Sequence, residues 1–331
     1  MLRKLLIYIF TGLILSLIIN LLYERYLRPD NLFFSRCLQQ SGKWEKYIRA
    51  QGQPCYVFAG GSEVRMNIEP TTMWEQHRLP SINAGIQAGN TARANAQIAL
   101  SLLRNGDTLV MSYLNNRVPE HASHGGINFC FRHLGINTFR DNLLKPDWRH
   151  LSMLLYGNSA NYGIHLMRIL TRPECIFRYS SAENARISES GRVEVLLHSE
   201  QNNKIERVRA SDIKELPMTD WKRFVEDLQA ACEKRKAHLI AYITRQHCST
   251  QHRRNNILAA LYLTRLGVPV LKDPMLGCWE TCSVFSDSAQ HMSIEAGREF
   301  SAYLAELIKT NNYWSEAELL QLLTNTPSAD E

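Results

Sequence analysis

Short apolar runs that alternate with amphipathic segments are the feature of this chain that most restricts its fold. The runs with strand character span residues 55–59, 81–83, 107–114, 238–244 and 268–271. Segments with helical periodicity and capping residues separate or follow them, over residues 91–103, 219–236, 256–266 and 293–309. Strands separated by helices predict a parallel sheet with helices on both faces. We therefore expect an α/β domain with three-layer, flavodoxin-like packing.

The N-terminus is the most apolar part of the chain. Arg3 and Lys4 precede a stretch from Leu5 to Tyr23 that contains no charged residue. A helix of this length just crosses about 30 Å of hydrocarbon, and no pair of small residues marks a signal-peptide cleavage site. We expect an uncleaved, single-pass transmembrane helix in the inner (cytoplasmic) membrane. The slight excess of positive charge favours an N-terminus in the cytoplasm and an extracytoplasmic, periplasmic domain.

The expected organisation has four parts, which are an anchor at 1–23, a connector at 24–54, a domain at 55–312 and a tail at 313–331. The connector is polar and is expected to end in a short helix over 42–50. Two stretches break the alternation of strands and helices, at 117–150 and 173–217, and we interpret them as insertions over the edge of the sheet. The last residues, 325–331, are expected to be disordered.

Composition narrows the possible partners. The net charge is +6, and the 38 basic residues are scattered without a basic and aromatic run, so nucleic-acid binding is not expected. Eight cysteines permit disulfides in an exported domain, with Cys278–Cys282 and Cys232–Cys248 as conceivable pairs, or they are small buried hydrophobes. Neither HExxH nor a doubled CxxC is present, so no metal or cofactor is expected. A zinc site built from Cys278, Cys282 and His291, or from His247-Cys248, is the weakest alternative.

Polar residues and glycines follow the predicted strands at their carboxyl ends. Ser62 comes after Gly60-Gly61, Gly85 follows the second strand, and Asn115-Asn116 follows the third. In a parallel sheet, ligands bind at this edge, so these residues are expected to converge there. The alternative for Ser62 is an ordinary helix cap.

An aspartate and a histidine lie just before the last predicted helix of the domain, at Asp287 and His291. A serine hydroxyl is a poor nucleophile until a positioned base takes its proton. Ser62 together with His291 therefore predicts nucleophilic acyl chemistry.

In their order along the chain, these segments resemble the SGNH (GDSL-like) hydrolase superfamily. Gly60-Gly61-Ser62 is similar to its first block, Asn83-Ala-Gly85 to its second, and Asp287 with His291 to its fifth. The likeness is greatest to membrane-anchored envelope members of the D-alanyl-lipoteichoic-acid transfer protein and alginate acetylation protein types.

The resemblance implies a role for each residue. Ser62 would be the nucleophile, His291 the base and Asp287 the group that orients it, while Gly85 and Asn116 would bind the oxyanion. Asn115 remains an alternative to Asn116, because the third block lacks the usual Gly-x-Asn-Asp form. Asp287 lies four residues before His291 where three is common, which leaves both a triad and a Ser62–His291 dyad open.

The implied function is that of an O-acyltransferase or esterase that acts on a cell-envelope glycan. Its partners would be the membrane, through the N-terminal helix, and an acylated glycan or an acyl-carrying membrane protein. The alternative is a catalytically silent scaffold of the same fold that binds envelope polymer or an acyltransferase partner.

Overall fold

The computed structural model describes residues 2–26, 29–86, 91–113, 124–141, 143–144, 185–195, 218–247, 250–279 and 291–326. The α-helices within them are α1 (Leu2–Tyr26), α2 (Pro29–Arg49), α3 (Ser62–Asn67), α4 (Pro70–His77), α5 (Ala92–Leu102), α6 (His124–Leu134), α7 (Met218–Glu233), α8 (Thr250–Arg265), α9 (Ile294–Lys309) and α10 (Glu316–Thr324). The strands are β1 (Tyr56–Ala59), β2 (Ser81–Asn83), β3 (Thr108–Tyr113), β4 (Ala185–Ile187), β5 (Val193–Val195), β6 (His238–Ile243), β7 (Gln246–His247) and β8 (Cys278–Trp279).

The central sheet has four parallel strands in the order β2-β1-β3-β6. This confirms the predicted α/β class, and the order is consistent with a flavodoxin-like layout. The fifth predicted strand, 268–271, contributes one parallel bridge beside β6, between Ala241 and Val270. Pro269 has no N–H to donate, which limits the ladder at this position.

Alternate residues of each central strand point to opposite faces of the sheet. On β1, Val57 and Ala59 belong to one apolar cluster while Phe58 belongs to the other. On β3, Leu109 lies in the first cluster and Val110 in the second. Both faces are buried, as a parallel sheet requires.

Helices cover each face. The first cluster takes side chains from α2, α5, α7, α8 and α10. The second takes them from α3, α4 and α9, including Val64, Met73 and Phe300. Helices α3, α4 and α9 therefore cover the same face of the sheet.

Two segments are more regular than the sequence predicts. The connector forms the long helix α2, and the Trp44 indole N–H donates to the carbonyl of Ser81 at 2.8 Å. The tail contains α10, which begins with a capping box between Ser315 and Glu318 and buries Leu319 in the core.

The insertions are described in part. Within 117–150, α6 packs on α5 through an apolar cluster that includes Ile98 and Phe129. Within 173–217, β4 and β5 form an antiparallel hairpin over residues 185–195.

Among the residues that the structure describes, no helix combines the length and the apolar character needed to cross a membrane. The transmembrane helix predicted over residues 1–23 is therefore not found. These residues do form most of α1, and its side chains from Leu5 to Phe10 are exposed.

Asp107 anchors the start of the sheet, at the edge opposite the carboxyl ends of the strands. Its buried carboxylate accepts the N–H groups of Cys55 at 2.7 Å and Arg104 at 2.8 Å, and pairs with Arg49 at 3.0 Å. We expect Asp107→Ala to lower the free energy of unfolding by about 3–5 kcal/mol, because it removes the acceptor of two backbone N–H groups and one of the two carboxylates that pair with Arg49. Denaturant unfolding measures the change.

The matched control is Glu316→Ala, which removes the exposed ion pair with Arg265. Its effect should stay within about 1 kcal/mol. Equal effects of the two substitutions would contradict the role of Asp107.

Candidate active site

Ser62 lies where β1 ends and α3 begins. Gly61 is the N-cap residue of α3, and Ser62 is the first residue of the helix. The Gly61 N–H donates to Oε1 of Glu63 at 2.7 Å, so the Glu63 carboxylate stabilises the turn. The Ser62 side chain does not serve as the cap of this helix, which removes the cap interpretation of Ser62.

The structure brings Ser62 and His291 together. The Ser62 hydroxyl lies 2.9 Å from Nε2 of His291, across 229 positions of sequence. The side chains are partly buried. With Nε2 unprotonated, the hydroxyl donates to the imidazole, which is the arrangement that a serine nucleophile and its general base require.

The segment that carries His291 is tied to the far end of α3. The N–H of Met292 donates to Oδ1 of Asn67, the last residue of that helix, at 2.8 Å. Ser293 then caps α9, because its hydroxyl accepts the N–H of Ala296. One short helix therefore contacts both the histidine and the residue that follows it.

Gly85 allows the loop after β2 to approach α3 closely. A Cβ at this position would lie 2.5 Å from the backbone nitrogen of Arg65 and 2.7 Å from Cβ of Val64. The Gly85 N–H donates to Oδ1 of Asn83 at 3.0 Å. The donor that the resemblance assigns to the oxyanion is thus engaged by a neighbouring side chain.

Asn83 itself is fully buried and holds α3 in place. Its Nδ2 group donates to the carbonyls of Val64 at 3.0 Å and Ile68 at 2.8 Å. Val64 belongs to α3 and its carbonyl also accepts the Ile68 N–H, while Ile68 is the C-cap residue that follows the helix. Carbonyls at this end of a helix run out of intrahelical donors, so the Asn83 amide supplies one.

A polar network lies beneath the serine turn. The buried carboxylate of Glu63 accepts the hydroxyl of Ser112, on β3, at 3.3 Å, and Ser112 hydrogen-bonds to Thr244. Burial, and then the charge of Glu63, raise the pKa of the Tyr242 phenol well above its usual range. Tyr242 therefore stays protonated at all physiological pH values.

The remaining predicted site residues lie outside the described part of the chain. These are Asp287, Asn115 and Asn116. The structure thus brings Ser62 and His291 into contact and places Gly85 against α3.

The cysteine predictions have a mixed outcome. Cys232 is a free, buried thiol, so the suggested pair with Cys248 is wrong. Burial raises its pKa to about 12, as expected of a small side chain in the core. Cys278 is disulfide-bonded, and Cys282 lies outside the described residues.

No group of three or more metal-ligating side chains occurs within the described ranges. Cys282 and Cys248, which the zinc alternative used, fall outside those ranges.

The sequence did not single out several residues that build the site. Glu63, Asn67 and Asn83 hold the serine turn and the histidine segment through side-chain contacts with backbone groups. Only their closeness in sequence to predicted site residues could have indicated two of them. Glu63 directly follows Ser62, and Asn83 lies two residues before Gly85.

Comparison with protein-family models, with curated proteins and with solved structures gives no match to this chain. The proposed function therefore depends on the geometry of the site and on the motifs in the sequence.

The close approach at Gly85 predicts a specific sensitivity. We expect Gly85→Ala to lower the free energy of unfolding by about 1–3 kcal/mol, because the added methyl group meets the backbone of α3. Gly42→Ala is the matched control, since a Cβ there meets nothing within 4 Å. Inside helix α2 it should stabilise by about 0.5–1 kcal/mol. Denaturant midpoints measure both, and a neutral Gly85→Ala would refute the crowding argument.

Proposed function

We propose that this protein is a serine acyl-ester enzyme, an O-acyltransferase or esterase of SGNH type that acts on a cell-envelope glycan. The observation that supports this most strongly is the 2.9 Å contact between the Ser62 hydroxyl and Nε2 of His291. Its position at the carboxyl edge of a parallel sheet adds support, because α/β proteins bind ligands there. The finer description of the fold, as a three-layer SGNH-type domain, is part of the same proposal.

The mechanism follows from the geometry. His291 Nε2 takes the proton of Ser62 as Oγ bonds to the acyl carbonyl carbon, which gives a tetrahedral oxyanion. The oxyanion collapses, the ester bond to the leaving alcohol breaks, and the imidazolium returns its proton to that alcohol. Water or a sugar hydroxyl then attacks the acyl-enzyme, with His291 again as base, and releases an acid or an acylated glycan.

The backbone N–H of Ser62, the N–H of Gly85 and the amide of Asn116 are the proposed oxyanion donors. One donor of this kind typically contributes about 2.7–4 kcal/mol to transition-state binding. For Gly85 to contribute, its N–H must turn from Asn83 to the substrate, or be shared between them.

A second candidate is a catalytically silent scaffold that binds envelope polymer or an acyltransferase partner. The engaged N–H of Gly85 favours this candidate, because a site that never forms an oxyanion has no need to release that donor.

A fluorophosphonate probe separates the candidates, because its phosphorus forms a bond only with an activated serine oxygen and releases fluoride. We expect the full-length protein to be labelled and Ser62→Ala to lose all labelling. His291→Gln should lower the labelling rate by about 10²–10⁴-fold, the usual contribution of a general base. Ser101→Ala is the control, since this exposed serine on α5 only contacts a helix carbonyl.

An unlabelled wild-type protein, in a preparation that is folded by circular dichroism, would favour the scaffold. Labelling that survives in Ser62→Ala would show that another serine reacts.

We also propose that α1 attaches the protein to the cytoplasmic membrane, with the domain on the extracytoplasmic side. The uncharged stretch from Leu5 to Tyr23 and the exposed apolar side chains of α1 support this. The substrate would then be an acylated glycan, or an acyl-carrying membrane protein, at the same surface.

Charge in α1 tests the attachment. We expect the full chain to sediment with membranes and the double variant Ile9→Arg, Ile14→Arg to move to the soluble fraction. Each substitution replaces an exposed apolar side chain of α1 with a charge that disfavours contact with the lipid. Tyr47→Arg, at an exposed apolar residue of α2, is the control and should still sediment. A wild-type protein found in the soluble fraction would contradict the attachment.

A further inference from the structure

Arg192 joins the two elements that carry Ser62 and His291. It lies in the β4–β5 hairpin, and its side chain is fully buried. Its Nε donates to the carbonyl of Met66 in α3 at 2.6 Å. Nη1 and Nη2 donate to the carbonyls of Ile294 and Ser293, each at 3.2 Å.

These carbonyls lie close to the reacting pair in the chain. Met66 is one turn beyond Ser62 on the same six-residue helix, and Ser293 is two residues beyond His291. The planar guanidinium therefore spans the gap between α3 and the start of α9 with a fixed fork of donors, which a more flexible ammonium cannot reproduce. The hydrogen bond between Met292 and Asn67 spans the same gap.

The hairpin and α9 are built around this side chain. A Cβ on Gly297 would lie 2.3 Å from Nη2 of Arg192, so glycine stands in the first turn of α9 where helix propensity favours alanine. Glu69 is also buried, and its Oε2 lies 3.7 Å from Nη1. The hydroxyls of Ser188 and Ser190, from the hairpin, contact the other Glu69 oxygen.

Charge at this position is costly. Burial lowers the pKa of Arg192, and the charges of Glu69 and Glu194 oppose the shift without cancelling it. A guanidinium kept here against that cost also places positive charge at the start of α9, where the helix dipole opposes it. Stability alone does not account for an arginine at this position.

We propose that Arg192 is a positioning residue, which sets the distance and orientation of His291 relative to Ser62 by holding residues 293–294 against α3. It acts through the backbone of these residues. The labelling experiment below rests on the proposed function, whereas the NMR experiment on the His291 ring does not depend on activity.

The first readout is the rate of fluorophosphonate labelling of the full-length protein. We expect Arg192→Gln to lower the rate by about 10²-fold, the effect of a misplacement near 1 Å. Arg192→Lys keeps the charge but loses the fork, so its rate should lie between those of Arg192→Gln and wild type. Arg186→Gln is the matched control, because this exposed arginine on the same hairpin pairs with Glu194, whose buried carboxylate keeps Arg298 as a second partner. Among the described residues, Arg186 makes no hydrogen bond to α3 or α9.

The second readout is the ¹⁵N chemical shift of Nε2 of His291 at one fixed pH, followed by NMR of ¹⁵N-histidine-labelled full chain in detergent micelles and assigned with His291→Gln. We expect Arg192→Gln to move this resonance toward its position in Ser62→Ala, because both variants lose the hydrogen bond between the Ser62 hydroxyl and Nε2.

The possible results separate the two proposals. If wild type is not labelled, the proposed function fails, and the Nε2 resonance still decides whether Arg192 positions His291. If Arg192→Gln is folded and matches Arg186→Gln in both readouts, the positioning role is wrong. If Arg192→Gln does not fold, Gly297→Ala, which crowds the guanidinium, replaces it and should move the Nε2 resonance in the same direction. An unchanged resonance in Gly297→Ala would then overturn the proposal.

Discussion

The placement of α3 is the constraint on which the site depends. A helix of six residues is too short to be stable alone, so tertiary contacts must satisfy the backbone groups at its ends. Glu63 holds the turn before it, while Asn83 and Arg192 take the carbonyls of its last turn. The close packing at Gly85 then leaves α3 a single position against the sheet. The direction of the Ser62 hydroxyl is therefore set by residues from three other parts of the chain.

The strands of the sheet were predictable because each is a short apolar run between turn residues. β1, β2, β3 and β6 fall at the predicted positions. The sequence could not show which face each residue occupies, since both faces are buried and the alternation of polar and apolar residues disappears. The length of α2 was missed because the polar Ser41 interrupts the buried stripe of Cys37, Trp44 and Ile48 over residues 35–49, where the side chains are described. For α10, the capping box at Ser315 and Glu318 was a usable signal.

The two central site residues were identifiable for a different reason. Ser62 follows the end of β1 after two glycines, and His291 lies two residues before the cap of α9, so each has a local pattern that fixes its place in the fold. Asn67, Asn83 and Arg192 have no such pattern. Each acts through a hydrogen bond to a distant backbone group, and the spacing of the partners along the chain carries no period. The two reacting residues were therefore predictable from the sequence, and the residues that hold them in position were not.

The buried charges around α3 show what this arrangement requires. Arg65, on α3, is fully buried, and Nη1 donates to the Ser41 hydroxyl and the Gly191 carbonyl, while Nε and Nη2 have no partner among the described residues. Burial lowers its pKa. Apolar side chains of equal volume would typically stabilise such a site as well or better. What apolar contacts lack is direction, because they allow a short helix to slide or rotate, whereas hydrogen bonds from fixed donors do not. We infer that the charged and amide groups around α3 lower the stability of the fold and in return fix the position of this helix. This is expected where a serine and a histidine must stay within hydrogen-bond distance.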